Sequence, residues 1–349
     1  MSAQIFSFTS TITQAPQRLV SYRVLLGLYA IIPLCLLLQG CDRFFFGEIL
    51  KNALPSSPNH YVVFQLLFGI PHIIASAITL SSNSEYVQFF KLKILLMSAF
   101  IVLFFGVGSL FIPYKVLYII TAIWTVYHVL KQQHGITRGL YQLPNWAFNT
   151  LLGLSVSAGI VIYISIFLKN QLTLTQAAFI QSSAAGLCLG LIVATLLSQR
   201  YIKSLFGKTF LWANSLLVLS SFYLAMQQYY FLAILIPRLV HDTTAFVFYV
   251  THDYNRHQQQ PTNFIYRWAS YGHIPIFMVL PVLAFGLAFV LQNYGDALIS
   301  HVTHYLFDVE VRKAVTLGLI GYLSLMHYYT ESFTWKNNSP YRRFIGFKK

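Results

Sequence analysis

Two histidine-aspartate pairs, His241-Asp242 and His252-Asp253, stand eleven positions apart in one apolar stretch, with Arg238 before the first and Arg256 and His257 after the second. Ionisable groups are expensive in such a segment and, where they occur, face a bundle interior and serve a function. His72, His128, His134 and His327 also lie in or beside apolar runs, and Glu331 follows His327 by four positions, the spacing that puts two side chains on one helix face. Histidine is the commonest metal ligand. The three cysteines, Cys35, Cys41 and Cys188, form no CxxC pair. The expected chemistry is therefore imidazole with or without carboxylate, which suits iron, zinc or copper rather than an iron-sulfur cluster. Non-haem Fe2+ with open positions would serve oxygen chemistry.

Helical rise limits which of these groups can meet. At 1.5 Å per residue, His241 and His252 are about 16 Å apart, too far for one ion whose ligands sit at about 2 Å. The expected ligand set is His72, His128, His252 and His257, with His134, His241 and His327 as further candidates. Asp242, Asp253 and Glu331 would orient the rings through their second nitrogens, and Glu331 could instead ligate directly or pair with the basic tail. His252 and His257 can share an ion only if the helix unwinds after Tyr254, and Lys131-Gln132-Gln133 is expected to mark the membrane surface between His128 and His134. Asp242, one turn beyond Arg238, is its nearest partner. A haem held between His72 and His241 is a different option.

The elements that must position these residues are membrane helices. The chain has 349 residues, 56% hydrophobic and 9% charged, too few charges for a soluble globule. Its net charge of +14 is a matter of loop placement rather than of nucleic-acid binding. A spanning helix needs about 20 mostly apolar residues, and ten such runs are expected: 23–40, 61–81, 93–112, 115–133, 147–168, 173–197, 209–228, 230–252, 270–291 and 314–333. The eighth and tenth are read as the least hydrophobic. The expected fold is an all-α polytopic bundle forming a single integral membrane domain, 1–349. With a cytoplasmic N-terminus, sixteen of the 23 Lys and Arg fall on the cytoplasmic side and six outside, which supports two cytoplasmic ends and a place in a bacterial inner membrane. His72, His128, His134, His241, His252, His257, His273 and His327 then lie in or beside the cytoplasmic half, the convergence that a metal site in a bundle requires.

Gly69-Ile70-Pro71-His72, His134 before Gly135, and Tyr249-Val250-Thr251-His252 through Arg256-His257 resemble motifs of the Brp/Blh family of membrane β-carotene 15,15'-dioxygenases. The resemblance covers about a tenth of the chain. It implies a multi-span bundle whose histidines hold a non-haem iron that cleaves a polyene with O2, with His72, His134, His252 and His257 at the matching positions. Ile73-Ile74-Ala75-Ser76 stands where the family has glycine and aspartate, and the last histidine pair is one residue wider. The expected function is thus an iron oxygenase acting with O2 on a lipophilic isoprenoid, carotenoid or lipid drawn from the membrane, with any electron donor unread. A lipid desaturase or hydroxylase is the nearest alternative, although HxxxH and HxxHH boxes are absent. A haem-binding electron carrier and an ion-coupled transporter are the others.

Overall fold

The computed structural model describes residues 17–348 except 142, 259, 260, 262, 312 and 337. Arg312 and Lys349, two of the basic residues behind the expected orientation, lie outside the described residues. The protein is all-α, 84% helical with almost no strand. Ten long helices follow the ten apolar runs: α1 Tyr22–Phe45, α2 Val62–Ser81, α3 Ser84–Leu110, α4 Tyr114–Leu140, α5 Asn145–Leu168, α6 Leu174–Tyr201, α7 Leu205–Met226, α8 Tyr230–His257, α9 Ile276–Phe307 and α10 over 314–334. A short helix, Phe264–Tyr271, joins α8 to α9.

Eight of these are long and apolar enough to cross a membrane, which suggests a membrane protein. α8 is among them, with a mean hydropathy of 1.5, the second lowest of the eight, in line with the expectation for the eighth run. The exceptions are α4, which carries Lys115, Lys131 and Arg138, and α10, where His327, Glu331 and a tyrosine pair replace aliphatic residues. The most apolar helices are not the best covered. Only 17% of the α3 window and 22% of the α9 window are buried, although both have a mean hydropathy of 2.1. Leu92, Leu95, Leu96 and Leu103 of α3 and Val282, Phe289 and Val290 of α9 face outward. Apolar surface of that extent marks contact with a membrane or with protein partners.

α8 is the central helix, with 61% of its window buried, and it packs against α1, α2, α4, α7 and α9. α2 and α4 each pack on both α8 and α10. Two prolines shape this centre. Pro71 opens the α-helical part of α2 after a π-helical turn at Gln65–Gly69, and Pro237 lies inside α8, where it removes one backbone hydrogen bond a turn before His241. At Gly69 a Cβ would meet Gln65 Oε1, the end of a flexible side chain that can move aside, and lie 3.7 Å from Arg238 Nη2. Leu19–Ser21 and Gly346–Lys348 form a parallel strand pair in the register Leu19 to Gly346. That pair holds the two ends of the described chain side by side.

Candidate metal centre

Four imidazoles from four helices meet where α2, α4, α8 and α10 converge. The ring centroids of His72 and His327 are 4.9 Å apart, those of His128 and His241 4.7 Å, His128 and His327 5.1 Å, and His72 and His241 5.5 Å. None is more than 6% exposed. Two triads have ligand atoms all within 4.8 Å of one another, His72 with His241 and His327, and His128 with His327 and Glu331. His327 belongs to both.

The hydrogen bonds around the cluster fix which nitrogens point inward. His72 Nδ1 lies 2.8 Å from the Phe68 carbonyl, which can only accept, so Nδ1 carries the proton and Nε2 offers a lone pair. His241 Nδ1 lies 2.7 Å from Gln132 Oε1, with the same result. Gln132 then donates through Nε2 to Glu331 Oε2 at 3.0 Å, and Tyr249 donates to Glu331 Oε1 at 2.7 Å. One amide thus links a ring on α8 to the carboxylate on α10, an outer layer of the kind that orients metal ligands.

Inside this layer the polar atoms lack partners. Among the described residues, His128 Nε2, His241 Nε2, both nitrogens of His327 and Asp242 Oδ1 are buried with no hydrogen-bond partner. His128 Nε2 is 3.3 Å from Glu331 Oε2, and Asp242 Oδ1 is 3.6 Å from His72 Nε2 and 4.0 Å from His241 Nε2. The other oxygen of Asp242 lies 3.5 Å from Arg238 Nη2. Two carboxylates therefore face the same buried space as the imidazoles, and Arg238 is the cation beside one of them. Buried polar groups are normally hydrogen-bonded, and exceptions require an explanation such as an ion. Imidazole and carboxylate at these separations match the donor set that iron or zinc takes.

The expected set of His72, His128, His252 and His257 is not brought to one point. His72 and His128 are in the cluster, and His241 and His327 occupy the places expected for the other two. α8 stays helical through His257, so it does not unwind after Tyr254 and the two levels of the helix remain apart. At the second level, His252 Nδ1 donates to Asp253 Oδ1 at 2.8 Å, and Tyr86 OH donates to His252 Nε2 at 2.8 Å. Asp253 Oδ2 accepts from Tyr266 OH at 2.5 Å, and burial, followed by the Asp253 charge, raises the pKa of that hydroxyl. Asp253 therefore orients a ring, as expected, but the ring is one whose nitrogens are both engaged by protein. His257 stacks on Tyr266 with ring centroids 3.8 Å apart. His134 Nε2 bonds Ser155 Oγ at 3.0 Å, and His273 is exposed.

Gln132 and Tyr249 were missed as site residues. Gln132 is four positions after His128 and so shares its face, but its place beside Lys131 suggested a membrane surface. Instead, Gln133 is buried and accepts from Tyr29 OH at 3.0 Å. Tyr249 carries no sequence mark that separates it from the other tyrosines of the chain.

A cavity of about 1080 Å³ reaches the cluster from one side and ends on His128, Gln132 and Glu331. Trp124, Tyr127, Phe248, Tyr328 and Trp335 line its walls. Fold and site together define an all-α protein, with helices suited to a membrane, that encloses a histidine-carboxylate cluster at the end of an aromatic cavity. No protein-family model, curated protein or solved structure matches the chain.

Proposed function

We propose that the protein is a membrane oxygenase in which His72, His128, His241 and His327, with Asp242 and Glu331, hold non-haem iron and act with O2 on a lipophilic substrate in the adjoining cavity. The observation that carries this reading is the set of buried imidazole nitrogens and the Asp242 oxygen left without hydrogen bonds at one point. Iron bound there would supply oxygen activation. The rings of His128 and His327 pack edge-on against His241 and His72, in the space that a porphyrin between His72 and His241 would need, which favours a bare ion over haem. Gln132, Phe68 and Tyr249 hold the donor atoms in place, and the buried setting keeps bulk water from the cluster.

Of the positions singled out by the resemblance to the Brp/Blh dioxygenases, His72 lies in the cluster, whereas His134, His252 and His257 lie elsewhere. The resemblance supports iron and oxygen chemistry, and the cavity is the better guide to substrate. Both ends of the chain are proposed to face the cytoplasm. Their strand pairing is what an even number of crossings produces, and the basic residues favour that side.

Elemental analysis of detergent-purified protein tests the reading. Iron should be present in the parent protein, lost in His327→Ala and His241→Ala, and retained in His134→Ala and His252→Ala. A parent protein without bound metal after iron loading, or equal loss from His252→Ala, would overturn it.

A further inference from the structure

The cavity combines two kinds of lining. Its walls near the cluster are aromatic, while Lys131, Arg138, Lys336 and Arg342 also line it. Neutral neighbours hold three of these cations. Lys131 lies over the Tyr127 ring at 4.8 Å, Arg138 over Phe148 at 4.6 Å, and Arg342 over Phe347 at 4.9 Å. Arg138 also donates to Asn145 Oδ1 at 2.7 Å.

Among the described residues, none of the four makes an ion pair. Two other cations are matched, since Glu85 pairs with both Arg256 and Arg343 at 3.2 Å. The acidic residue in the cavity lining is Glu331, whose oxygens are engaged by Tyr249 and Gln132. Basic residues at a cytoplasmic end are explained by topology alone, but topology does not require four of them round one cavity without acidic partners. Arg138 is ten residues along α4 from His128, a separation of about 15 Å. The volume is at the upper end of small-molecule sites, roughly 300–1,000 Å³, and is large enough for a lipid chain.

Building on the metal-oxygenase reading of the same site, we propose that the cavity binds an anionic amphiphile, a long-chain lipid with a carboxylate or phosphate head. The head lies at the Arg138 end of the cavity, with Lys336 and Arg342 as further cations of the lining and Lys131, one turn from His128, along the way, and the chain runs past the aromatic side chains so that an atom well down the chain, not the head, meets His128 and Glu331. Charge-assisted hydrogen bonds give the acidic head its advantage over a neutral one.

Bromine on a lipid chain quenches tryptophan at contact, and Trp124 and Trp335 line the cavity. Purified protein in neutral detergent is titrated with chain-brominated octadecanoic acid, octadecyl phosphate and octadecanol. One acidic probe should bind about tenfold or more tighter than the alcohol, and the better of the two identifies the head. In Arg138→Gln/Lys336→Gln that preference should shrink to less than about threefold, while the alcohol still binds. A Trp124→Phe/Trp335→Phe protein should lose most of the quenching, which locates the probe. Equal binding of acid and alcohol by the parent protein, or an acid preference that survives the double substitution, overturns the proposal. Iron is assayed on the same samples. A parent protein without iron but with the acid preference would sink the oxygenase reading alone, and one with iron but no preference would sink the lipid assignment alone.

Discussion

Replacing His327 with leucine, and His252 with leucine as its counterpart, separates a ligand from a structural histidine without any assay of activity. Both rings are buried, at 2% and 0% exposure, so the change in packing is similar. Their bonding is opposite. Both nitrogens of His327 lack partners, whereas His252 bonds Asp253 and Tyr86. An unmade hydrogen bond at a buried group costs about 1–3 kcal/mol. In metal-free protein, His327→Leu removes two such groups, a gain of about 2–6 kcal/mol. Against this stand the poorer fit of leucine, about 1.5 kcal/mol, and lost edge-to-face ring contacts of about 0.5–1.5 kcal/mol. The net effect runs from a loss of about 1 kcal/mol to a gain of about 4 kcal/mol. His252→Leu instead leaves the Tyr86 hydroxyl proton without its acceptor and a carboxylate oxygen without its donor, a loss of about 2–6 kcal/mol before packing is counted. Unfolding in detergent with a chelator present should therefore place His327→Leu within about 1 kcal/mol below the parent or above it, and His252→Leu well below it. Iron reverses the first comparison, since at a hundredfold excess over Kd it adds about 2.7 kcal/mol to the parent and nothing to His327→Leu. Two variants destabilised alike under chelation would show that His327 is bonded within the fold, and the metal argument would fail with it.

Other perturbations probe the layer around the cluster. Gln132→Leu unties His241 from Glu331 and should weaken iron binding about 10–100-fold in a metal titration while leaving the protein folded. Arg238→Leu strands the buried Asp242 carboxylate and should cost about 3–5 kcal/mol in unfolding measurements; a loss below about 1 kcal/mol would mean that the 3.5 Å pair is not a working ion pair. Asp253→Ala leaves His252 and Tyr266 without their acceptor, so stability should fall by about 1–3 kcal/mol for each lost bond with iron content unchanged by elemental analysis.

The helices were legible because the chain is written for an apolar solvent, in which a run of about 20 residues that satisfies its own backbone must be a helix. Pro71 and Pro237 each sit within one turn of a cluster histidine, but a proline does not show which way that histidine turns. Sequence could not choose among the histidines, because depth along a helix is readable from spacing whereas rotation about its axis depends on packing. His241 and His252 share a face by arithmetic, yet that face meets α10 at one level and Tyr86 and Tyr341 at the other. The pairing of His327 with Glu331 was readable from their four-residue spacing. That Gln132 joins them came from α4 lying against both α8 and α10, a long-range fact with no local trace.

The repeated His-Asp pair on α8 shows why residue type alone does not identify a site. At the outer level every polar atom of the pair has an answering group, and Arg256 completes the chain by donating to Tyr86 OH at 2.8 Å; such a closed network rigidifies the bundle end and has no free lone pair for a ligand. At the inner level, Gln132 and Arg238 satisfy one atom of each residue, which leaves His241 Nε2 and Asp242 Oδ1 bare and facing the same space. Selection for stability alone would fill or remove those bare atoms, because apolar replacements of similar shape are close to neutral or better. Their presence beside two further imidazoles has a physical rationale if a cation supplies the missing partner, and the four cations lining the adjoining cavity, none of them ion-paired among the described residues, have the same rationale if an anion does.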